Sequence, residues 1–153
     1  MHFRKQIHDK CLPSEPPPHY SPGSIRYGKT HRFVITGKNE HEKVVDYKFY
    51  VIVNTYEDGR LAEIATRVAK HGDRLGSMLN GWCIAVTMLL QTGVPIAEIA
   101  KMFENMDFEP HGLTRTSEIP FAKSVYDYII KWIKLRFPDQ FPNEEDDAEV
   151  RTV

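Results

Sequence analysis

Cysteine is scarce in this sequence, which has only two, Cys11 and Cys83, among 153 residues. Neither belongs to a CxxC pair or a Cys/His ladder, which argues against a disulfide framework or a structural zinc site; we expect no metal and no cofactor. Long apolar runs are also missing, because the longest, residues 82–90, is interrupted by Thr87 and falls far short of the ~20 residues that span a bilayer. The amino terminus lacks the apolar core of a signal peptide. These absences predict a protein of the reducing cytoplasm with no membrane segment.

An excess of charge of one sign is missing as well, since the formal net charge is −1. This balance argues against general attraction to nucleic acid or an anionic membrane, so neither is an expected partner. The charge is nevertheless uneven: eight Lys/Arg face four Asp/Glu in residues 1–43, and one faces six in residues 139–153. We interpret residues 1–24 as a flexible Pro/His-rich arm, residues 25–138 as one domain, and residues 139–153 as an acidic tail.

The first half of the domain has the pattern of strands. β-branched and aromatic residues dominate residues 30–35 and 44–55, with the alternation of half-buried strands. Asp58 and Gly59 follow as a hairpin turn, and a third, less regular strand starts at Leu61. This region predicts a small antiparallel sheet of about three strands.

The second half changes to helical spacing. The first helix starts near residue 74 and is apolar nearly all round, so we expect it to be buried on most sides. Pro95 begins a second helix and, after a loop over residues 107–117, Pro120 begins a third. The predicted class is α+β, with the sheet followed by three α-helices. The third helix also carries a charged stripe, which comprises Lys123, Asp127 and Lys131.

The segment before the first helix has the composition of an anion site. Gly72 and Gly76 would let backbone N–H groups approach a ligand, while Lys70 and Arg74 add positive charge. Ser77 can donate a hydrogen bond, and a helix N-terminus favours a phosphate. These five residues are predicted to bind a ligand. The segment matches neither a Walker loop nor GxGxxG, so the alternative is a plain strand-to-helix turn with a capping side chain.

The loop over residues 107–117 is the second candidate site. His111 could act as a general base with Glu109 as its orienting partner. No nucleophile stands beside them in the sequence, so recognition of a polar ligand or a structural role is favoured over catalysis. We therefore name His111, Thr114 and Arg115 as ligand-binding residues, and expect them to converge on one surface with the five residues of the first segment.

Aromatic residues on the predicted strands offer a further interpretation. Tyr47, Phe49 and Tyr56 could stack on bases, as in RNA-binding proteins that use a sheet. No basic face is evident beside them in the sequence, so packing in a core is the expected role.

Three strings carry a resemblance to a known family. They are LLQTGVP at residues 89–95, FEPHGLT at residues 108–114 and EIPFAKSVYDYI at residues 118–129. In order and spacing they are similar to the carboxy-terminal TSCPD domain of vitamin-B12-dependent (class II) ribonucleotide reductases. The similarity extends over residues 30–138. It implies a role in deoxynucleotide metabolism in a bacterial or phage-infected cell.

The sequence departs from that family in two respects. The cysteine-containing string that names the domain is absent, and the corresponding residues 116–120 read TSEIP. The reductases are also several times longer, and the barrel that carries their radical-bearing and redox-active cysteines has no counterpart here. Ribonucleotide reduction needs a thiyl radical and a dithiol pair, so no stand-alone reductase activity is expected.

These observations leave hypotheses from three classes. The first is a stand-alone, non-catalytic accessory domain that binds a nucleotide or phosphate, or docks on a ribonucleotide reductase. The alternative is an oligomerising interaction scaffold without a small-molecule ligand, in which the Pro-rich arm contacts a partner or a neighbouring subunit. The third makes Glu109 and His111 an acid/base pair that acts on a nucleotide.

Overall fold

The computed structural model describes residues 19–69 and 73–142. Most of the predicted arm, the tail from residue 143, and the candidate residues Lys70 and Gly72 lie outside the described residues. The elements, in chain order, are β1 (Tyr27–Lys38), β2 (Val44–Thr55), β3 (Leu61–Ala69), α1 (Asp73–Gln91), α2 (Ile96–Phe103), β4 (Gly112–Thr116), β5 (Ile119–Ala122), α3 (Val125–Arg136) and a 3-10 turn (Pro138–Gln140).

The strands form one antiparallel sheet in the order β3-β2-β1-β4-β5. The α+β class and the three α-helices are as predicted, but the sheet has five strands instead of about three. Strand β4 lies in the region predicted to be a loop, and β5 overlaps the predicted start of the third helix. They are five and four residues long, which is too short for an alternating pattern to stand out in the sequence.

One side of the sheet, the covered face, shares a hydrophobic core with all three helices. Phe33 on β1 and Phe49 and Val51 on β2 are almost fully buried there. They share one hydrophobic cluster with Trp82 of α1 and Ile129 of α3. Stacking of Phe33 on Phe49 continues across the two central strands, with ring centroids 5.1 Å apart. The core therefore lies between the sheet and the helices.

The opposite side of the sheet is the open face. Since side chains alternate along a strand, the residues between those of the covered face point to this side. Several of them are large and exposed: Tyr50, Leu113 and Phe121. The polar and large side chains of the open face include Arg32, Asp46, Lys48, Tyr50, Arg67, Leu113, Arg115 and Phe121.

Helix α1 differs from the expectation that most of its sides are buried. Its inner side packs on β3 and contributes Trp82 and Val86 to the core. Its outer side leaves Met78 66% and Ile84 58% exposed, and Met88 is exposed too. The prediction that most sides are buried was wrong because α1 lies beside an edge strand, where one layer of sheet can cover only one side of a helix.

The outer edge of β3 is closed by side chains from other elements. Thr87 on α1 accepts the Ile64 N–H at 3.1 Å and donates to the Ile64 carbonyl at 3.3 Å. Gln91 donates to the carbonyl of Ala62 at 3.2 Å. Backbone groups at a sheet edge are costly when buried without partners, so these contacts fix α1 against the strand.

Candidate functional site

The first predicted segment lies at the start of α1. Arg74 and Ser77 are exposed on its first turns. Gly76 lies in the helix with open space around it, since a Cβ built there has no neighbour within 4 Å. The Arg74 guanidinium and the Ser77 hydroxyl therefore face solvent and are accessible to a ligand.

The second predicted segment is held close to β1. The Nδ1 atom of His111 lies 2.7 Å from Oδ1 of Asp107, so the carboxylate that contacts this imidazole is Asp107 rather than Glu109. Gly112 has a φ of +152°, and a Cβ built on it would lie 2.0 Å from the Thr36 carbonyl oxygen. Only glycine fits this approach, which places His111 where the loop enters β4.

A buried carboxylate anchors the base of this loop. Asp127 is 0% exposed and accepts the backbone N–H groups of Asn105 at 2.7 Å and Lys123 at 3.0 Å, and the Lys131 ammonium at 2.9 Å. Burial alone would raise the pKa of Asp127, but the hydrogen bonds from Lys131, Lys123 and Asn105 outweigh it and lower the pKa. The predicted charged stripe was therefore wrong, because Asp127 points inward and Lys123 precedes α3.

An aromatic contact holds the same loop. The ring of Phe108 meets that of Tyr126 on α3 edge-on, with centroids 4.8 Å apart, and the Phe108 N–H donates to the Lys123 carbonyl at 3.0 Å. Tyr126 in turn stacks on Trp82 of α1 at 4.4 Å. The string FEPHGLT is thus tied to two helices.

Thr114 and Arg115 are adjacent on β4 and point to opposite sides. The Thr114 hydroxyl donates to the Ile119 carbonyl and so closes the β4–β5 turn. Arg115 extends over the open face, where its guanidinium pairs with Asp46. Asp46 also accepts the Thr36 hydroxyl at 2.7 Å. Of the two predicted binding residues, Arg115 is the one whose side chain is exposed.

The two segments lie at the same end of the sheet. Across the strands, the register connects Ala69 at the end of β3 through Lys48 and Val34 to Arg115 on β4. Ala69 and Arg115 are therefore separated by three strand spacings, a distance of about 14 Å. The convergence of both segments on one ligand remains a prediction, and it requires a ligand that spans this distance.

A polar cluster that sequence reasoning missed lies under α3. The Nε2 atom of His31 on β1 is 2.9 Å from the Tyr128 hydroxyl, which is 2.5 Å from Oγ1 of Thr116 on β4. Burial lowers the pKa of His31, and the positive charge of Arg136 lowers it further, while Glu118 raises it. His31 is two residues before Phe33 on β1, and residues two apart on a strand point to the same face. Strand alternation was therefore the available signal that His31 faces the helices.

The sequence is similar to proteins of one known family. The family model of the TSCPD domain matches residues 22–137. The chain belongs to the TSCPD domain family. The vitamin B12-dependent ribonucleotide reductase of Rhodopirellula baltica is 37% identical over 112 residues, which are 73% of this chain and 10% of that protein. Proteins of the same name from Bradyrhizobium diazoefficiens and Streptantibioticus cattleyicolor are 33% and 39% identical over 76% and 58% of this chain.

This TSCPD domain spans 10% to 15% of the length of the R. baltica and S. cattleyicolor relatives. No solved structure matches it. None of the helices within the described residues is long and apolar enough to cross a membrane.

Cys83 is the cysteine of this TSCPD domain that lies within the described residues, and its surroundings make its thiol unreactive. Cys83 is 3% exposed on the inner side of α1, with its sulfur 3.6 Å from the Thr66 hydroxyl. Burial raises the pKa of the Cys83 thiol, against a smaller opposite effect of Thr66. In the described part of the chain, no group of three or more His, Cys, Asp or Glu residues could hold a metal ion.

Proposed function

We propose that this TSCPD domain is a non-catalytic accessory domain in B12-dependent ribonucleotide reduction, and so serves the supply of DNA precursors in the cytoplasm. It acts by docking on a reductase. The names of its relatives support this role, since they are vitamin B12-dependent ribonucleotide reductases that contain the domain as a small part of a longer chain.

The outer face of α1 carries the proposal. It exposes Met78, Ile84 and Met88 on consecutive turns of one helix. Exposed apolar groups that are contiguous mark sites of protein contact, and methionine adapts well to such surfaces. In a relative where about nine tenths of the chain lies outside the domain, the remainder of the reductase is the nearest available partner.

The non-catalytic part of the proposal depends on thiol chemistry. A reductase needs a cysteine that carries a radical and a pair that supplies electrons. Cys83 is buried, and its raised pKa keeps it a thiol at neutral pH. The described residues therefore fit an accessory role.

Binding to the B12-dependent reductase of R. baltica, truncated so that it lacks its own TSCPD domain, tests the docking. We expect a complex by size-exclusion chromatography, and Ile84→Glu should weaken it at least tenfold by placing a charge in the apolar contact. His41→Glu, in the exposed β1–β2 turn, is the matched control. Absence of a complex, or equal binding by both variants, would refute docking through α1.

The oligomeric state of the protein alone distinguishes docking on a reductase from the scaffold alternative. If the isolated domain is a dimer that Ile84→Glu converts to a monomer, the outer face of α1 binds a second copy of this chain instead of a reductase. Analytical ultracentrifugation of the full chain gives this answer directly.

Nucleotide or phosphate binding is a second candidate. It is favoured by the position of Arg74 and Arg115 at the same end of the sheet, both exposed. Thermal shift with millimolar ribo- and deoxyribonucleotides should show stabilisation that Arg74→Ala and Arg115→Ala each reduce, whereas Lys101→Ala on α2 should not. If no nucleotide raises the melting temperature, this candidate fails while docking remains open.

A further inference from the structure

Three side chains on the open face form a row across neighbouring strands. Tyr50 on β2 is directly opposite Arg32 on β1 and Arg67 on β3. All three are exposed, and directly opposed residues have Cβ atoms about 5 Å apart. A phenol ring thus lies between two guanidinium groups on a solvent-exposed surface.

The positive charge extends beyond this row. Lys48, two residues before Tyr50 on the same strand, is exposed as well. Within residues 19–69 and 73–142, Arg32, Lys48 and Arg67 have no carboxylate within ion-pair distance. Arg115 completes the group, although Asp46 neutralises it in part. This local excess of cations is invisible in the net charge of −1.

A second aromatic ring lies at the far side of the cations. Phe121 on β5 is 49% exposed and lies opposite Leu113 on the open face. By register, Tyr50 and Phe121 are three strands and two side-chain rows apart, which is about 20 Å. Lys48 and Arg115 occupy the row between them. An exposed sheet with separated rings and intervening cations matches a ligand that alternates planar groups with anions.

We propose that the open face binds single-stranded nucleic acid. Bases stack on Tyr50 and Phe121, while Arg32, Lys48 and Arg67 contact the phosphates. A mononucleotide fits less well, because it could reach only one of the two rings and small ligands prefer concave sites. An acidic peptide would satisfy the cations but would have no planar groups for the rings. This site is separate from the docking face of α1, which is the outer side of the helix beside β3.

Fluorescence anisotropy with labelled dT15 tests the proposal on the full chain. At 50 mM salt we expect binding in the micromolar range. Three phosphate contacts predict that affinity falls about 20-fold between 50 and 200 mM salt. Tyr50→Ala and Phe121→Ala should each weaken binding about tenfold. The double variant Arg32→Ala/Arg67→Ala should weaken it further and make the salt dependence shallower.

Matched controls use similar residues elsewhere. Tyr27→Ala removes an exposed tyrosine outside the open face, and Arg60→Ala/Lys101→Ala removes two exposed cations. Both variants should bind as the unchanged protein does, and thermal denaturation verifies that every variant is folded. No binding below 100 μM oligonucleotide would overturn the proposal. It would also be overturned if Tyr50→Ala and Phe121→Ala bound normally, or if dTMP or a polyglutamate peptide competed at the same concentration as unlabelled dT15.

Discussion

Asp127 illustrates at the scale of one residue why spacing alone misassigns charges. A carboxylate four residues from two lysines is typical of a solvated helix face, and that pattern holds for Lys131. The pattern cannot show that the chain before α3 returns to present the N–H groups of Asn105 and Lys123 to the same carboxylate. The missing information is tertiary, because Asn105 is 22 residues away.

Asp127→Asn should destabilise the domain by about 3 kcal/mol at pH 7, since it leaves the Lys131 ammonium without its buried partner. The folded-state pKa of Asp127 is lowered, so its stabilising effect is fully present above the unfolded-state pKa of about 3.9. It is lost as the pH falls through the folded-state pKa. Urea unfolding at pH 7 and pH 3 should show the difference between the two proteins shrinking in acid. Asp58→Asn, in an exposed ion pair, is the control and should change little.

His31 should make stability depend on pH in a different range. Its folded-state pKa is lowered, so the unfolded chain takes up a proton first as the pH falls below about 6.5. Wild-type stability should therefore fall between pH 7 and pH 5, and the fall should be smaller in His31→Phe. Urea unfolding midpoints measure this, with His41→Phe in the exposed β1–β2 turn as the control. An identical fall in His31→Phe would contradict the assignment.

Cys83 should resist alkylation in the folded protein. In a Cys11→Ser background, iodoacetamide at pH 8 should modify Cys83 only after addition of denaturant, because the thiol is buried and its pKa is raised. Mass spectrometry of timed samples measures the rate. Rapid modification of the native protein would show that α1 exposes its inner side.

At the scale of elements, the sequence predicted long segments better than short ones. The periods of β1, β2 and α1 persist over 12, 12 and 19 residues, so their types could be recognised. Strands β4 and β5 pair only after α2 has brought the chain back to β1, and no local pattern reports that event. Because residues Ile119–Ala122 form β5, the prediction that α3 begins at Pro120 was also wrong. The helix begins at Val125, after the N-cap Ser124.

Gly112 tests how β4 is joined to the sheet. Gly112→Ala should lower stability by about 2 kcal/mol or more, because the new methyl group meets the Thr36 carbonyl and the backbone conformation disfavours a side chain. Gly76→Ala provides the contrast: it lies in α1 with open space around it and should raise stability by about 1 kcal/mol. Thermal denaturation compares the two, and equal effects would mean that β4 does not approach β1 so closely.

For the whole molecule, the class of fold and the family could be predicted from the sequence, whereas the arrangement of surfaces could not. Phe49, one of the residues considered for base stacking, is 0% exposed in the core, and the exposed ring on that strand is the neighbouring Tyr50. Alternation fixes which residues share a face but not which face the helices cover. The cations Arg32 and Arg67 are 35 positions apart in the sequence and become neighbours of Tyr50 only through the strand register.

Closure of the β3 edge determines how this molecule can associate. Main-chain groups of Ile64 and Ala62 that a foreign strand would need are already bonded to Thr87 and Gln91. The opposite edge strand is only four residues long and contains Pro120, which has no N–H to donate. Growth of the sheet by adding strands from other chains is therefore discouraged at both ends. Contacts of a partner with these two edges therefore depend on side chains, so single substitutions should be able to abolish them selectively.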